Sequence, residues 1–197
     1  MQPYQSCPPD IVKSVRQRWL YVQWARLRGE RLLPRWSDLD IRDLDSCFDD
    51  LTILDVLAQG GGMRFRIFNH GKNVGAMYAG QCAGKFFDET LPAATRAATI
   101  ETYEHSVRTR LPVYTASRTA DSKGRPVLYE RLLLPFAEFG ESVFRVIGFL
   151  ETISPEGAFD RDRLMVSDLR NQTGFALKAV LDSGFGPAEV RRPTPAL

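Results

Sequence analysis

The chain predicts an α+β fold, a five-stranded antiparallel sheet with helices on one face and additional flanking helices at the N- and C-terminal ends. Three observations carry this. Leu51–Gln59 (LTILDVLAQ) and residues 63–70 (MRFRIFNH) are β-rich runs on either side of Gly60-Gly61-Gly62, a hairpin composition that accepts positive φ. A helical middle follows. Residues 112–120, 126–136 and 143–153 then supply three more β-rich runs. Strands and helices both need an apolar partner, so layering the helices on a single sheet buries all of them with the fewest elements. A half-wrapped sheet of this kind encloses a pocket or presents an interaction surface, and on its own it specifies no chemistry.

In chain order, Pro8-Pro9-Asp10 is a helix entrance in which Asp10 accepts from free backbone N–H groups. Ile11, Val15, Trp19 and Val22 form one apolar row; Leu20, Trp24 and Leu27 widen it, and Gly29 is the stop. Two tryptophans on one helix carry too much apolar area to float free, so the helix docks on its own sheet or on a second copy. Ile11, Val15, Trp19, Val22 and Trp24 are accordingly the candidate homodimer contacts. Asp38 or Asp40 caps a short helix through Ile41, Leu44 and Phe48. Residues 71–78 and 88–91 are short helices, and residues 93–110 form the long central one, with Pro92 at its entrance and Ala97, Ile100, Tyr103 and Val107 toward the sheet. Residues 143–153 alternate apolar side chains on both faces, which marks a central strand. Residues 160–182 read as a last helix softened by Gly174, and the Pro-rich residues 186–197 as a disordered tail. The resulting division is 1–36 helix and linker, 37–155 core domain, 156–185 C-terminal helix and 186–197 tail.

The 26 basic and 24 acidic residues of the 197-residue chain nearly cancel, so no overall field points to nucleic acid or an anionic membrane. Basic residues do crowd the first helix and its exit, where Lys13, Arg16, Arg18, Arg26, Arg28, Arg31 and Arg35 could hold a phosphate-bearing or acidic partner, although arginines on an amphipathic helix more often form a solvated or interfacial face. Cys7, Cys47 and Cys82 offer no C-x-x-C pair, and they suit reduced thiols. No apolar run approaches the ~20 residues of a membrane span, and the polar start has no signal-peptide core, so the expected location is cytoplasmic. Asp43, Asp45, Asp49 and Asp50 lack the glycine and terminal glutamate of an EF-hand loop; capping roles are expected of them, with no metal and no cofactor.

Strand–strand–short helices–long helix–three strands is also the order of a PAS domain, and the chain resembles one. It is most similar to compact bacterial PAS-like proteins whose sensor core follows an Arg- and Trp-rich helix. The likeness rests on Trp24-Ala25-Arg26-Leu27-Arg28-Gly29 with Leu33-Pro34, Asp38-Leu39-Asp40, residues 51–56, Arg64-Phe65-Arg66-Ile67-Phe68, residues 80–85, Pro112-Val113 and Glu130-Arg131-Leu132-Leu133-Leu134-Pro135. It departs at Ile41, where that group often has proline, and at Phe48-Asp49 in place of Leu-Pro. The resemblance implies a sensory or docking module, typically dimeric, sometimes ligand-binding and without catalysis of its own. With one helix and a tail after the core, its signal is expected to leave through a separate protein.

The same resemblance directs attention to particular side chains. Flavin-binding members use a reactive cysteine, but aligning Gly84-Lys85 with the pair preceding it puts Phe87, not Cys82, at that position. Haem-binding members use a histidine from the central helix, where His105 lies beside Glu101, Glu104, Arg108 and Arg110, the surroundings of a solvated face. The expected small-ligand pocket lies between the central helix and the sheet near Phe65, Ile67, His70, Tyr78, Tyr103 and Phe149, residues that ordinary core packing also explains. Glu130 with Arg131, and Arg145 with Glu151, could orient a carboxylate-bearing ligand or form cross-strand ion pairs. No G-x-S-x-G, H-E-x-x-H or phosphate-binding glycine loop is present, so the expectation is a non-enzyme, with a small α+β-barrel enzyme using His70, His105 and Glu130 as the alternative.

Overall fold

A computed structural model describes residues 3–60, 62–78, 80–165 and 175–182. Within them, β1 (Gln5–Cys7), β2 (Leu51–Gln59), β3 (Gly62–His70), β4 (Val113–Ala120), β5 (Pro126–Ala137), β6 (Val143–Ile153) and β7 (Phe175–Leu181) form one sheet in the order β1-β7-β4-β5-β6-β2-β3. Neighbours are antiparallel except β1 and β7, which run parallel. The four described helices are α1 (Val15–Arg28), α2 (Lys72–Met77), α3 (Phe87–Thr90) and α4 (Ala93–Thr109).

The five expected strands are all present and adjacent. Two more extend the sheet beyond β4, and one of them overturns an expected element: residues 175–181 form strand β7 rather than the end of a helix. Ala, Leu and Lys favour a helix locally, but here the segment completes the open hydrogen-bonding edge of β4, and tertiary pairing overrides propensity. Residues 166–174 and the expected tail lie outside the described residues.

Strand β6 pairs with both β5 and β2, as its two apolar faces require. One face, with Ile147 and Phe149, is covered by α1; the other, with Val146 and Leu150, carries α2, α3 and α4. The sheet is therefore covered on both faces.

Helix α1 begins later than Pro8-Pro9-Asp10 suggests. Residues Pro9–Ile11 make a single 3-10 turn, and the cap is Ser14, whose hydroxyl accepts from the Gln17 N–H. Gln17, Leu20, Tyr21 and Trp24 form the buried row. The Gln17 amide donates to the carbonyls of Glu130 (3.1 Å) and Phe149 (3.0 Å), and Trp24 Nε1 donates to that of Pro135 (2.7 Å). Trp24 is thus a core residue and leaves the set of outward dimer contacts; Ile11, off the helix and packed against the same core, leaves it too. Val15, Trp19 and Val22 face out, 72%, 39% and 57% exposed.

Helix α4 also departs from its apolar row, since Ala97 is exposed and the buried positions are Thr99, Thr102, Tyr103 and Ser106. Thr102 and Ser106 satisfy their hydroxyls on the carbonyls of Thr99 and Leu111. Gly71, at the entrance to α2, marks a close approach of chain to chain: a Cβ there would collide with the backbone of Phe48 and Asp49.

Two substitutions test this packing. Trp24→Ala should lower unfolding free energy by about 3–5 kcal/mol in urea titrations, whereas Trp19→Ala on the outer face stays within about 0.5 kcal/mol in the monomer. Gly71→Ala should yield no folded protein, because the obstructing atoms are backbone.

Candidate ligand pocket

The α2–α4 side of the sheet collects most of the residues expected to line a pocket. Phe65 and Ile67 point inward from β3 with Arg64 and Arg66 on the opposite side, as the two-residue pleat dictates. Tyr103 descends from α4, its ring centroid 5.5 Å from Phe65 and 5.1 Å from Phe87; Tyr78 closes the group 6.1 Å from Phe87. Gly148 makes room for Tyr103, since a Cβ there would lie 2.8 Å from the tyrosine hydroxyl.

Phe149 does not belong to this group. It has the opposite parity to Gly148, lies in the core beneath α1, and carries the Arg16 guanidinium 5.1 Å above its ring. The same alternation separates Glu130 from Arg131. Glu130 is buried toward α1, with Oε2 unpartnered among the described residues. The second expected pair also divides: Arg145 bonds Asp55 across the β2–β6 ladder (2.7 Å), while Glu151 accepts from Ser14 and Arg16. For Arg145 the cross-strand ion pair is what forms.

His70 is held at both ring nitrogens. Nε2 accepts from the Cys82 N–H (3.0 Å), which leaves Nδ1 to donate to the Gly71 carbonyl (3.0 Å), so the bonds define a neutral tautomer. It borders a cavity of about 10 Å³ with Ile67, Val74, Tyr78, Cys82 and Phe87, room for about one water. Cys82 is a buried turn residue whose thiol donates to Gly80, and burial raises its pKa. His105 points elsewhere: its ring stacks on Tyr4 at 3.7 Å and 1°, outside the pocket. The three groups of the enzyme alternative therefore do not converge.

Arg131 is the polar centre of the pocket side. It is 4% exposed, donates from Nη2 to the Tyr78 hydroxyl (3.1 Å), and lies 5.8 Å from the Tyr103 ring. Directly opposite on β4 is Thr115; opposite Thr115 on β7 is Lys178, 2% exposed and bonded to Glu101 at 2.6 Å. Sequence reasoning placed Arg131 but missed Thr115, Ser117 and Lys178. The alternation Val113, Thr115, Ser117 was the available signal for the first two; for Lys178 there was none once its segment was taken as a helix.

No group of three or more His, Cys, Asp or Glu suited to a metal occurs among the described residues. Asp50 instead bonds Arg16 and Asn73, Asp49 pairs with Lys72, and Asp40 caps the turn Ile41–Leu44. No described helix is long and apolar enough to cross a membrane.

Compared with known proteins, residues 12–151 match the family model described as PAS domain. A crystal structure of the PAS domain of a protein from Colwellia psychrerythraea is similar with a TM-score of 0.42 and 13% identity, over 58% of this chain and 97% of that one. No curated protein matches the chain.

The stacked His105 makes a pH prediction. Burial holds its pKa below the usual histidine value, with Glu101 opposing and Arg108 and Lys178 reinforcing the shift. The unfolded chain then binds this proton first, so the stabilisation is complete above about pH 6.5 and is lost as pH falls through the lower folded value. In denaturant titrations from about pH 7 to 5, His105→Phe should flatten the decline seen in the native protein.

Proposed function

The chain belongs to the PAS domain family, matched over residues 12–151, and from that premise we propose that it is a sensory and signalling module acting by protein–protein contact, as a homodimer built on the outer face of α1. One observation carries the dimer. Val15, Trp19 and Val22 form an exposed apolar stripe on a helix whose inner face is already fully engaged with the sheet. An exposed stripe repeated on a second copy gives an isologous helix pair, with Arg18 and Arg26 at its margins.

The family is typically sensory, and the separation of His70, His105 and Glu130 supports a role without catalysis. Gln17 links α1 to carbonyls of β5 and β6, the strands whose opposite faces carry Arg131 and Leu150. A ligand on the pocket side that prefers one packing of these strands would bias the seat of α1 by its differential affinity, and a separate signalling protein would read the dimer.

Light scattering on the purified protein tests the assembly. The native chain should have the mass of a dimer; Trp19→Asp with Val22→Asp should weaken association at least tenfold, about 1.4 kcal/mol, without changing the far-ultraviolet circular dichroism. A native protein that stays monomeric up to its solubility limit overturns the dimer.

A further inference from the structure

We propose that the interior between α4 and the sheet binds a small planar oxyanion, with Arg131 as its anchor and the Thr115 and Ser117 hydroxyls as supporting donors. The proposal deepens the signalling reading by naming the class of ligand sensed, and it relies on that reading for its biological meaning but not for the binding itself.

Charge balance is the first ground. Arg131 is 96% buried; among the described residues its side chain makes one hydrogen bond, to the neutral phenol of Tyr78, and no carboxylate lies within ion-pair distance. A guanidinium carries five N–H donors, and burying one without a counter-charge is costly unless its donors and charge are met. The Tyr103 ring, 5.8 Å away, is a weak substitute for an anion. Across the sheet, the row Lys178, Thr115, Arg131 holds two buried cations against one carboxylate, Glu101, which Lys178 already engages at 2.6 Å. Among the described residues one positive charge is left over.

Unmet hydrogen bonds are the second. Thr115 Oγ1 and Ser117 Oγ are both buried with no partner among the described residues. Thr115 pairs with Arg131 in the ladder, and Ser117 with Tyr129 two positions along the same face. Buried polar atoms are normally satisfied, so two open hydroxyls beside an uncompensated cation identify a place where an acceptor belongs. These groups can all donate, and the surplus charge is positive. A neutral ligand would leave that charge unpaired and a metal cation would add to it.

Geometry sets shape and size. The guanidinium fork matches two coplanar oxygens, as in a carboxylate or nitrate. Tyr78, which accepts from Arg131, borders a cavity of about 10 Å³ that Arg131, Thr115 and Ser117 do not line, so the anion is small and its entry parts the side chains around Arg131.

The test is thermal unfolding of the full chain in sodium formate, acetate, nitrate or phosphate, each against sodium chloride at matched ionic strength. A planar oxyanion at about tenfold excess over its Kd should raise Tm by about 3–6 °C, saturably. Acetate or formate acting below nitrate in concentration assigns an organic acid; the reverse order assigns an inorganic anion, and both support the site. Arg131→Met should abolish the shift while its Tm in chloride stays level or rises, and Thr115→Val should weaken binding about tenfold. Should Arg131→Met fail to fold, Thr115→Val and Ser117→Ala decide. The site is overturned by no saturable rise above chloride, by a response to phosphate alone, by a shift that survives Arg131→Met, or by undiminished binding in both hydroxyl variants. Light scattering on the same samples keeps the two proposals apart: a dimer indifferent to anions loses only the site, and a monomer that binds them loses only the dimer.

Discussion

A sheet whose middle strands are apolar on both sides has to be covered twice, and the rest of the molecule follows from that requirement. Ile147 and Phe149 face one way from β6, Val146 and Leu150 the other. The helices between β3 and β4 cover one side. The second falls to α1, and its placement is specified by polar bonds as well as by packing: Gln17 and Trp24 direct three donor bonds onto strand carbonyls. Apolar burial is indifferent to direction, whereas these bonds fix where along the strands the helix rests. A full inner face leaves the outer stripe of α1 available to another molecule.

The polar interior on the α4 side has a different logic. Thr99, Thr102 and Ser106 face inward from the central helix, and Thr115, Ser117, Arg131 and Lys178 face it from the sheet. An apolar side chain could be buried at each of these places at less cost. Hydroxyls there pass the test of local satisfaction at Thr102 and Ser106, which bond carbonyls on or next to their own helix, and fail it among the described residues at Thr115 and Ser117. That contrast is the one on which the proposed anion site rests.

Much of the fold was legible in the sequence because alternation and turn residues are local signals. Leu51–Gln59 and Val143–Ile153 were bounded to the residue, and the five central strands were expected in one antiparallel sheet with the last of them central. What escaped was non-local. The Ala- and Leu-rich Phe175–Leu181 has helix composition and becomes a strand only because β4 offers an edge. Gln5–Cys7 is too short for any period to show, and it exists as β1 only through β7. At the site, Phe65, Ile67, Tyr78 and Tyr103 were brought together as expected, because aromatic and branched residues on strands and helices signal their own burial. Phe149 was misplaced although its neighbours' parity was already readable, and Trp24 was assigned outward because a tryptophan on an amphipathic helix does not announce which partner it meets. His70, expected at the pocket, borders the cavity from the end of its strand with both ring nitrogens bonded to backbone groups.

The terminal strands carry a lesson for anyone cutting the gene. The family match stops at residue 151, so a fragment trimmed to residues 12–151 discards both β1 and β7. It would bare the rim of β4 as a row of unpaired amides, the surface on which sheets stack edge to edge into aggregates. It would also strand Glu101 without the ammonium that neutralises it. Insolubility of such a fragment would report on its amputated border and leave the native protein's own behaviour untouched.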